Sequence, residues 1–415
     1  MSNNTDFSPE SLMMSFGHDP SLVRNSIKNP IFQTSTFVFN TAEEGKAFFA
    51  RAYGDSDVNE KNESLIYTRL NHPNLITAEK RLALLDGTED AAFFESGMAA
   101  ITTTILEFAQ SGNLILMSSP LYGGTDAFIK NILPRYGIEY LVFDPKMTKS
   151  EIIDLVNDYQ GAAQLSMIFC ETPANPTNSL IDIEMMAEIR DHFSKNDNIV
   201  LAVDNTYMGP LFQQPQEHGA DLILYSATKY IGGHSDLIAG ACSGSRKLML
   251  RLKRLRSNLG CMASPHTSWL ICRSLETLHL RMEKHAKNAK EVAAVLNNHP
   301  KVKNVLYVGN LKPGDAYFDI FQKQCKSAGA MLAFDIKGGE KEAFVFLDNL
   351  RLIKLAVSLG STETLASHPA TMSSSNIPET DRIAFGITSA MIRLSVGIEN
   401  PDDIIKDINH ALAQI

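Results

Sequence analysis

The sequence predicts an α/β protein: a mostly parallel sheet covered by helices, followed by a smaller C-terminal α/β domain. Three observations predict it. From about residue 75, short apolar runs alternate with helical patterns, the mark of parallel strands joined by crossover helices. The chain has 415 residues, too long for one ordinary core, which points to two domains and leaves room for a third. After a long helical stretch near Trp269, two more strand patterns, "HPKVKNVLYVG" and "GAMLAFDIKGG", begin a second and smaller unit.

Residues 1–66 read as a loosely organised arm. "NPIFQTSTFVF" is an extended piece, "AEEGKAFFARAY" a short helix and "GDSDVNEKNES" a polar loop. The large domain is expected over residues 67–265. "LITAEKRLALLDG" reads as a helix closed by a C-terminal glycine. Then come the strand "AAFFES", the helix "GMAAITTTILEFAQSG", the strand "NLILMSS", the helix "TDAFIKNILPRYG" and the strand "EYLVFD". The helix "KSEIIDLVNDYQ", the strand "LSMIFCET", the helix "IEMMAEIRDHFSK" and the strands "NIVLAVDN", "DLILYSA" and "IAGACSG" complete it. "SWLICRSLETLHLRMEKHAKNAKEVAAVLNN" reads as one long helical stretch and opens the C-terminal domain, residues 266–415.

Composition narrows the function. The net charge of -9 argues against a general nucleic-acid binder. The most basic stretch, "SRKLMLRLKRLRSN", has its apolar residues at roughly helical spacing and reads as a surface helix. No apolar run reaches membrane-spanning length. The five cysteines form no Cys-x-x-Cys pair, so reduced thiols are expected. With a polar, acidic N-terminus lacking a signal-peptide pattern, a cytoplasmic protein is expected. No metal site is expected.

Four features fall at predicted strand ends, where open α/β sheets bind ligands. "SGM", Ser96 to Met98, lies between a strand and a helix start, where backbone N–H groups hold a phosphate. "ETPANPTN" follows a strand and by itself reads as a proline-rich turn. "VDNTY" ends a strand on Asp204, a carboxylate that on its own reads equally as a cap. "YSATKYIGGHSD" ends a buried strand on Lys229, between Ser226 and Thr228 on one side and a Gly-Gly-His turn on the other. Lysine is rarely buried without a partner. Lysine, aspartate, a phosphate turn and flanking hydroxyls together match the needs of pyridoxal phosphate: a Schiff-base lysine, a carboxylate for the ring nitrogen and donors for the phosphate. Tyr122 in "SSPLYGGTDAF" is the candidate to cover the ring.

These stretches, together with "IYTRLNHPN", "SLGSTETLASHPATM" and "IRLSVGIEN" in the same order, resemble the Cys/Met-metabolism family of pyridoxal-phosphate enzymes. That group includes the cystathionine γ-lyases, methionine γ-lyases, cystathionine β-lyases and cystathionine γ-synthases. The resemblance implies fold type I and pyridoxal 5'-phosphate as cofactor. It implies Lys229 as the Schiff-base residue, Asp204 at the ring nitrogen and Tyr122 on the ring and in proton transfer. Gly97, Met98, Ser226 and Thr228 would bind the phosphate, and Tyr67 and Arg69 would reach the phosphate in a neighbouring subunit. Arg393, Ser358 and Asn175 would hold the substrate carboxylate. A homotetramer, a dimer of dimers with shared sites, is implied as well.

The departures bear on specificity. His72 stands where related enzymes usually carry asparagine, and it reads as a turn residue. Gly124 stands where methionine γ-lyases typically carry cysteine. Val357 stands where cystathionine γ-lyases often carry glutamate, and it is the candidate selector of the substrate's distal end. The Asn-Pro of "ETPANPTN", from which cystathionine β-lyases often depart, is intact. The expected activity is a carbon-sulfur lyase that eliminates a thiol from a sulfur amino acid, giving a 2-oxo acid and ammonia. The alternatives are a cystathionine β-lyase giving pyruvate, a γ-replacement transferase on an activated homoserine, and a silent regulatory member. The last is opposed by the intact Lys229, Asp204, Tyr122 and Arg393.

Overall fold

The computed structural model describes residues 7–53, 65–194, 199–375 and 377–415. The expected polar loop "GDSDVNEKNES" lies outside the described residues. Seven strands form the large sheet: β1 (Asp90–Phe94), β2 (Asn113–Ser118), β3 (Glu139–Phe143), β4 (Gln164–Glu171), β5 (Val200–Asp204), β6 (Leu222–Tyr225) and β7 (Gly240–Gly244). Their order is β1-β7-β6-β5-β4-β2-β3. Every pairing from β6 to β3 is parallel, whereas β7 runs antiparallel to both of its neighbours. A short connection explains this. Only 14 residues separate Tyr225 from Gly240, and they form the lysine-bearing loop instead of a crossover helix.

Both faces of the sheet are buried, and alternate residues divide between the layers. Ile115, Met117, Met167 and Phe169 pack with Ile101 and Ile105 of helix Gly97–Phe108. Leu116, Ile168 and Cys170 pack on the other face with Ile152 and Ile189, from helices Lys149–Asn157 and Ile183–Phe193. This is why the strands read as unbroken apolar runs.

The smaller sheet comprises β8 (Val302–Leu306), β9 (Met331–Ile336), β10 (Lys354–Leu355), β11 (Leu365–Ser367) and β12 (Met391–Ser395), in the order β10-β11-β12-β9-β8. One apolar core runs from Ile223 and Tyr225 of the large sheet through Ile271 and Met282 to Leu332 and Ile392 of the small one. That continuity holds Arg393 of β12 at a fixed place relative to the strand ends of the large sheet.

Several elements depart from expectation. The long helical stretch is two helices, Pro265–Leu275 and Leu278–Asn298, with a break at Glu276 and Thr277. The Arg281 guanidinium crosses the break to the Ser274 carbonyl at 2.8 Å. The helix from Gly97 stops at Phe108, because Ala109 turns extended, three residues before the expected glycine. The expected helix over Thr125–Gly137 becomes an α turn, a π turn and a 3-10 turn before left-handed Gly137, with Pro134 in the last of these. "NPIFQTSTFVF" forms no strand beyond a bridge between Thr36 and Tyr67.

The basic helix Arg246–Leu259 is not purely a surface element. Arg256 is fully buried, donating to Glu79 Oε1 at 2.6 Å and to the Phe93 carbonyl at 2.8 Å. Lys253 reaches Glu79 and Asp90. These cations are used inside the fold, not offered to a polyanion. All five cysteines are unbridged, and four are buried. Among the described residues, no helix is long and apolar enough to cross a membrane.

Candidate functional site

The site forms where the carboxyl ends of β4, β5 and β6 meet the small sheet. The loop after β6 carries Lys229, which is half-buried. Its Nζ donates to Ser358 Oγ at 2.8 Å, not to a carboxylate, so it is not a structural ion pair. Burial, reinforced by the positive charge of Arg393, lowers its pKa to about 8. Ser358 sits in the left-handed region at φ 84, a strained place for a serine. Gly360, two residues on, is left-handed at φ 73, and a Cβ there would lie 2.8 Å from the Tyr230 nitrogen. This tight turn aims the Ser358 hydroxyl at Lys229 and its carbonyl at Arg393, which donates to it at 2.8 Å.

Arg393 is buried and also donates to Asn175 Oδ1 at 3.2 Å. Its Nε is a buried donor without a hydrogen-bond partner among the described residues. Ser358, Asn175 and Arg393 therefore form one contiguous cluster beside Lys229. Val357, the residue before Ser358, is 60% exposed at the mouth.

Asp204 ends β5 and is buried, which raises its pKa. Its Oδ1 accepts from the Thr206 amide at 3.0 Å and the Thr206 hydroxyl at 2.6 Å, so the capping role is real. Both bonds fall on one oxygen, leaving Oδ2 for another donor. Thr206 Oγ1 in turn accepts from the Ser226 amide at 2.9 Å, tying the aspartate's turn to the lysine loop.

The phosphate-type turn lies next to this. Ser96 caps helix Gly97–Phe108 by accepting from the Ala99 amide at 3.0 Å. The amides of Gly97 and Met98, in the first turn, precede any intrahelical partner. Close approach favours glycine at 97: a Cβ would crowd Ser226 Cβ and Oγ at 3.0 Å. Thr228 has its hydroxyl occupied on both sides by Ala239, donating to the carbonyl at 3.1 Å and accepting from the amide at 3.0 Å. Tyr122 is 47% exposed, and a Cβ on Gly124 would lie 2.7 Å from its ring and 3.0 Å from Met98 Sδ. The ring, Gly124 and Met98 are thus one packed group.

Tyr67 and Arg69 stand apart. Arg69 donates to the Ser257 carbonyl at 2.6 Å and lies 5.8 Å from the Tyr67 ring centroid. Together with Ser35, Met262 and Ser264 they line a separate open cavity of about 410 Å³. His72 is the N-cap of helix Pro73–Asp86: Nδ1 accepts from the Leu75 amide at 3.1 Å and Nε2 meets the Ala263 carbonyl at 3.0 Å. The turn reading of this residue holds.

Sequence reasoning missed Glu171. It ends β4 opposite Asp204 in register, is buried, and has its pKa raised to about 8 by burial and then by Asp204. Its oxygens accept from the amides of Tyr122 at 2.6 Å and Asn175 at 3.0 Å. The available signal was an acidic residue ending an apolar strand, the same signal that marked Asp204. Thr206 was missed as well, although it lies within "VDNTY".

The model of the family described as Cys/Met metabolism PLP-dependent enzyme matches residues 10–413. The chain is similar to L-methionine γ-lyase of Porphyromonas gingivalis, with 40% identity over 390 residues, 93% of this chain and 92% of that protein. It is similar to human cystathionine γ-lyase, 39% identical over 347 residues and 83% of each chain. Among solved structures, cystathionine γ-lyase from Lactobacillus plantarum complexed with L-serine superposes with a TM-score of 0.86 at 30% identity, covering 99% of both chains.

The residues present fit pyridoxal phosphate. The Gly97 amide turn against Ser226 is a cradle, crowded by a Cβ, that suits a phosphate, Asp204 Oδ2 is open to a ring N–H, and Lys229 is an amine of lowered basicity without a carboxylate partner among the described residues. A match over nearly the whole length, carried by a site with this donor set, means that the chain belongs to the Cys/Met-metabolism family of pyridoxal-phosphate-dependent enzymes.

Proposed function

We propose that this enzyme is a carbon-sulfur lyase that removes a thiol from methionine or cystathionine by γ-elimination, leaving 2-oxobutyrate and ammonia. The observation that carries the reading is the Lys229–Ser358–Arg393–Asn175 chain of hydrogen bonds, a base of lowered pKa beside a carboxylate grip. Relatives at 36–40% identity named L-methionine γ-lyase and cystathionine γ-lyase support the reaction class.

Bound pyridoxal phosphate supplies an electron sink for the pair left when the Cα–H bond breaks. Asp204 would hold the ring nitrogen's proton through Oδ2, the oxygen that Thr206 leaves open. Gly97, Met98 and Ser226 would hold the phosphate; the Thr228 hydroxyl, whose proton goes to the Ala239 carbonyl, would have to exchange that bond to join them. Arg393, with Asn175 and Ser358, grips the substrate carboxylate, a task suited to a fork of N–H donors. Lys229 Nζ, oriented by Ser358, takes the Cα proton; a second proton then leaves Cβ, its electron pair expels the sulfur from Cγ, and water releases 2-oxobutyrate and ammonia. Tyr122, exposed at the mouth, gives a proton to the departing sulfur.

Two further features support a shared site in a homotetramer. Tyr67 and Arg69 line a cavity away from their own chain's lysine, as residues donated to a second copy would. Leu22, Ile27 and Val38 of the arm are each more than 80% exposed, apolar surface that suits burial on another subunit. The unbridged cysteines suit a cytoplasmic location. The test supplies methionine, cystathionine and cysteine separately and identifies the oxo acid. 2-Oxobutyrate from the first two supports the reading. Pyruvate from cystathionine, or no oxo acid without an added thiol acceptor, overturns it.

A further inference from the structure

Glu171 has no cation in ion-pair range among the described residues, yet it is a buried acid set against a second acid, Asp204, on the neighbouring strand. A buried carboxylate in that position is costly, and the second acid beside it raises its pKa further. What it receives in return is specific. Oε2 accepts the Tyr122 amide at 2.6 Å, and Oε1 accepts the Asn175 amide at 3.0 Å. Its own amide donates to Ser118 Oγ at 3.2 Å, which fastens the end of β4 to the end of β2. Asn175 continues the chain to Arg393 at 3.2 Å. One side chain therefore spans two turns from different strands. One turn carries the tyrosine at the mouth, and the other leads to the buried arginine. Only a group with two acceptor oxygens satisfies two converging N–H donors; a carboxamide would present an N–H₂ to one of them.

We propose that Glu171 is a positioning residue for the elimination. It couples the Tyr122 turn to the Asn175–Arg393 arm, so that the proton donor and the carboxylate grip keep a fixed relative placement. Glu171 touches neither substrate nor cofactor in this role and acts through Tyr122 and Asn175. The inference rests on the reading that Tyr122 and Arg393 serve the substrate.

The test uses the holoenzyme and Glu171→Gln, with rates expressed per cofactor-loaded subunit. Calorimetric titration with glycine reads amine exchange and the carboxylate grip without elimination, because glycine has an α-amine and a carboxylate but no sulfur to expel. Glycine binding is expected to weaken about tenfold and kcat to fall about tenfold, the scale of one lost buried hydrogen bond. The two losses are expected to separate in double variants. In an Asn175→Ala background the glycine penalty of Glu171→Gln shrinks to about twofold or less. In a Tyr122→Phe background the kcat penalty shrinks likewise. Glu171→Asp, which keeps the carboxyl group but falls a methylene short, should show the same pattern and replaces Glu171→Gln if the latter does not fold. A lower melting temperature or lower cofactor loading, with wild-type glycine affinity and wild-type kcat per loaded subunit, would mean a merely structural residue and overturn the proposal. Fully additive double variants would overturn it too. If Tyr122→Phe and Arg393→Lys alone leave turnover unchanged, the underlying reading of the site has failed. If they are impaired and Glu171→Gln is not, only the positioning role has failed.

Discussion

Asp86 offers the most quantitative test of the fold around the site. It closes helix Pro73–Asp86 and is buried. Tyr225, the last residue of β6, donates its hydroxyl to Asp86 Oδ1 at 2.6 Å, and Ser243 of β7 donates to Oδ2 at 2.5 Å. The two strands that flank the lysine loop are thus pinned to one carboxyl group. Burial outweighs these two hydrogen bonds and raises the Asp86 pKa from 3.8 to about 7. A carboxyl group with a raised folded-state pKa binds a proton more tightly folded than unfolded. Its contribution to stability is therefore full below the unfolded pKa, declines as pH rises from about 4 to about 7, and is lost above that. The interval from 3.8 to about 7, at ~1.4 kcal/mol per pH unit, corresponds to roughly 4 kcal/mol. Asp86→Asn keeps the shape, and its amide meets a serine hydroxyl that can turn to accept. The variant should lose this pH dependence. Urea unfolding of both holoenzymes from pH 5 to pH 8, at one protein concentration, provides the comparison. Other titrating groups cancel in the difference between the two proteins. The Asn variant should gain on the wild type steadily as pH rises to about 7 and then hold a constant lead. A difference in midpoint that does not change with pH would show that Asp86 does not titrate in this range and would refute the reasoning.

Lys229→Ala should abolish covalent cofactor attachment and nearly all turnover; a variant that stays yellow through borohydride treatment and turns over normally would refute the assignment. Val357→Glu places a carboxylate at the exposed residue next to Ser358, and the ratio of kcat/KM for cystathionine over methionine should rise. An unchanged ratio would remove Val357 as a selector. Arg69→Ala and Lys229→Ala, each inactive alone, should recover activity when mixed under conditions of subunit exchange, because some mixed dimers hold one intact site. No recovery despite demonstrated exchange would return Arg69 to its own chain's site or to none.

Much of the molecule was legible in one dimension because its signals are local. Strands buried on both faces must be apolar at every position, so β2, β4, β5 and β6 stand out as short unbroken runs. Strand ends are where polar side chains first become affordable, so Asp204 marks itself by ending such a run, whereas Lys229 lies four residues past Tyr225, where β6 stops, and not at the strand's last residue as expected. The residues of each motif, "SGM" and "YSATKY", lie within a few positions of one another, and the helix start alone marks the Gly97 amide; that Ser226 lies against Gly97 was not legible. His72 could be assigned to a turn because the residue that follows is a proline at the start of a helix.

Other properties depend on distances that no stretch of sequence contains. Ser358 and Arg393 lie 129 and 164 residues beyond Lys229, and only the continuous core between the two sheets brings them to it. Arg256 reads as a surface cation by periodicity but is drawn inward, because Glu79 and the Phe93 carbonyl wait on elements more than 160 residues earlier. The break at Glu276 and Thr277 carries no proline or glycine; packing imposed it, with Arg281 bonding across to Ser274 and on to the Tyr230 carbonyl of the lysine loop. Glu171 shows the division most plainly. Its place at a strand end could be read from the chain, but its two hydrogen bonds and its pressure against Asp204 arise from strand register. Register is set by how whole layers pack, and no local pattern encodes it.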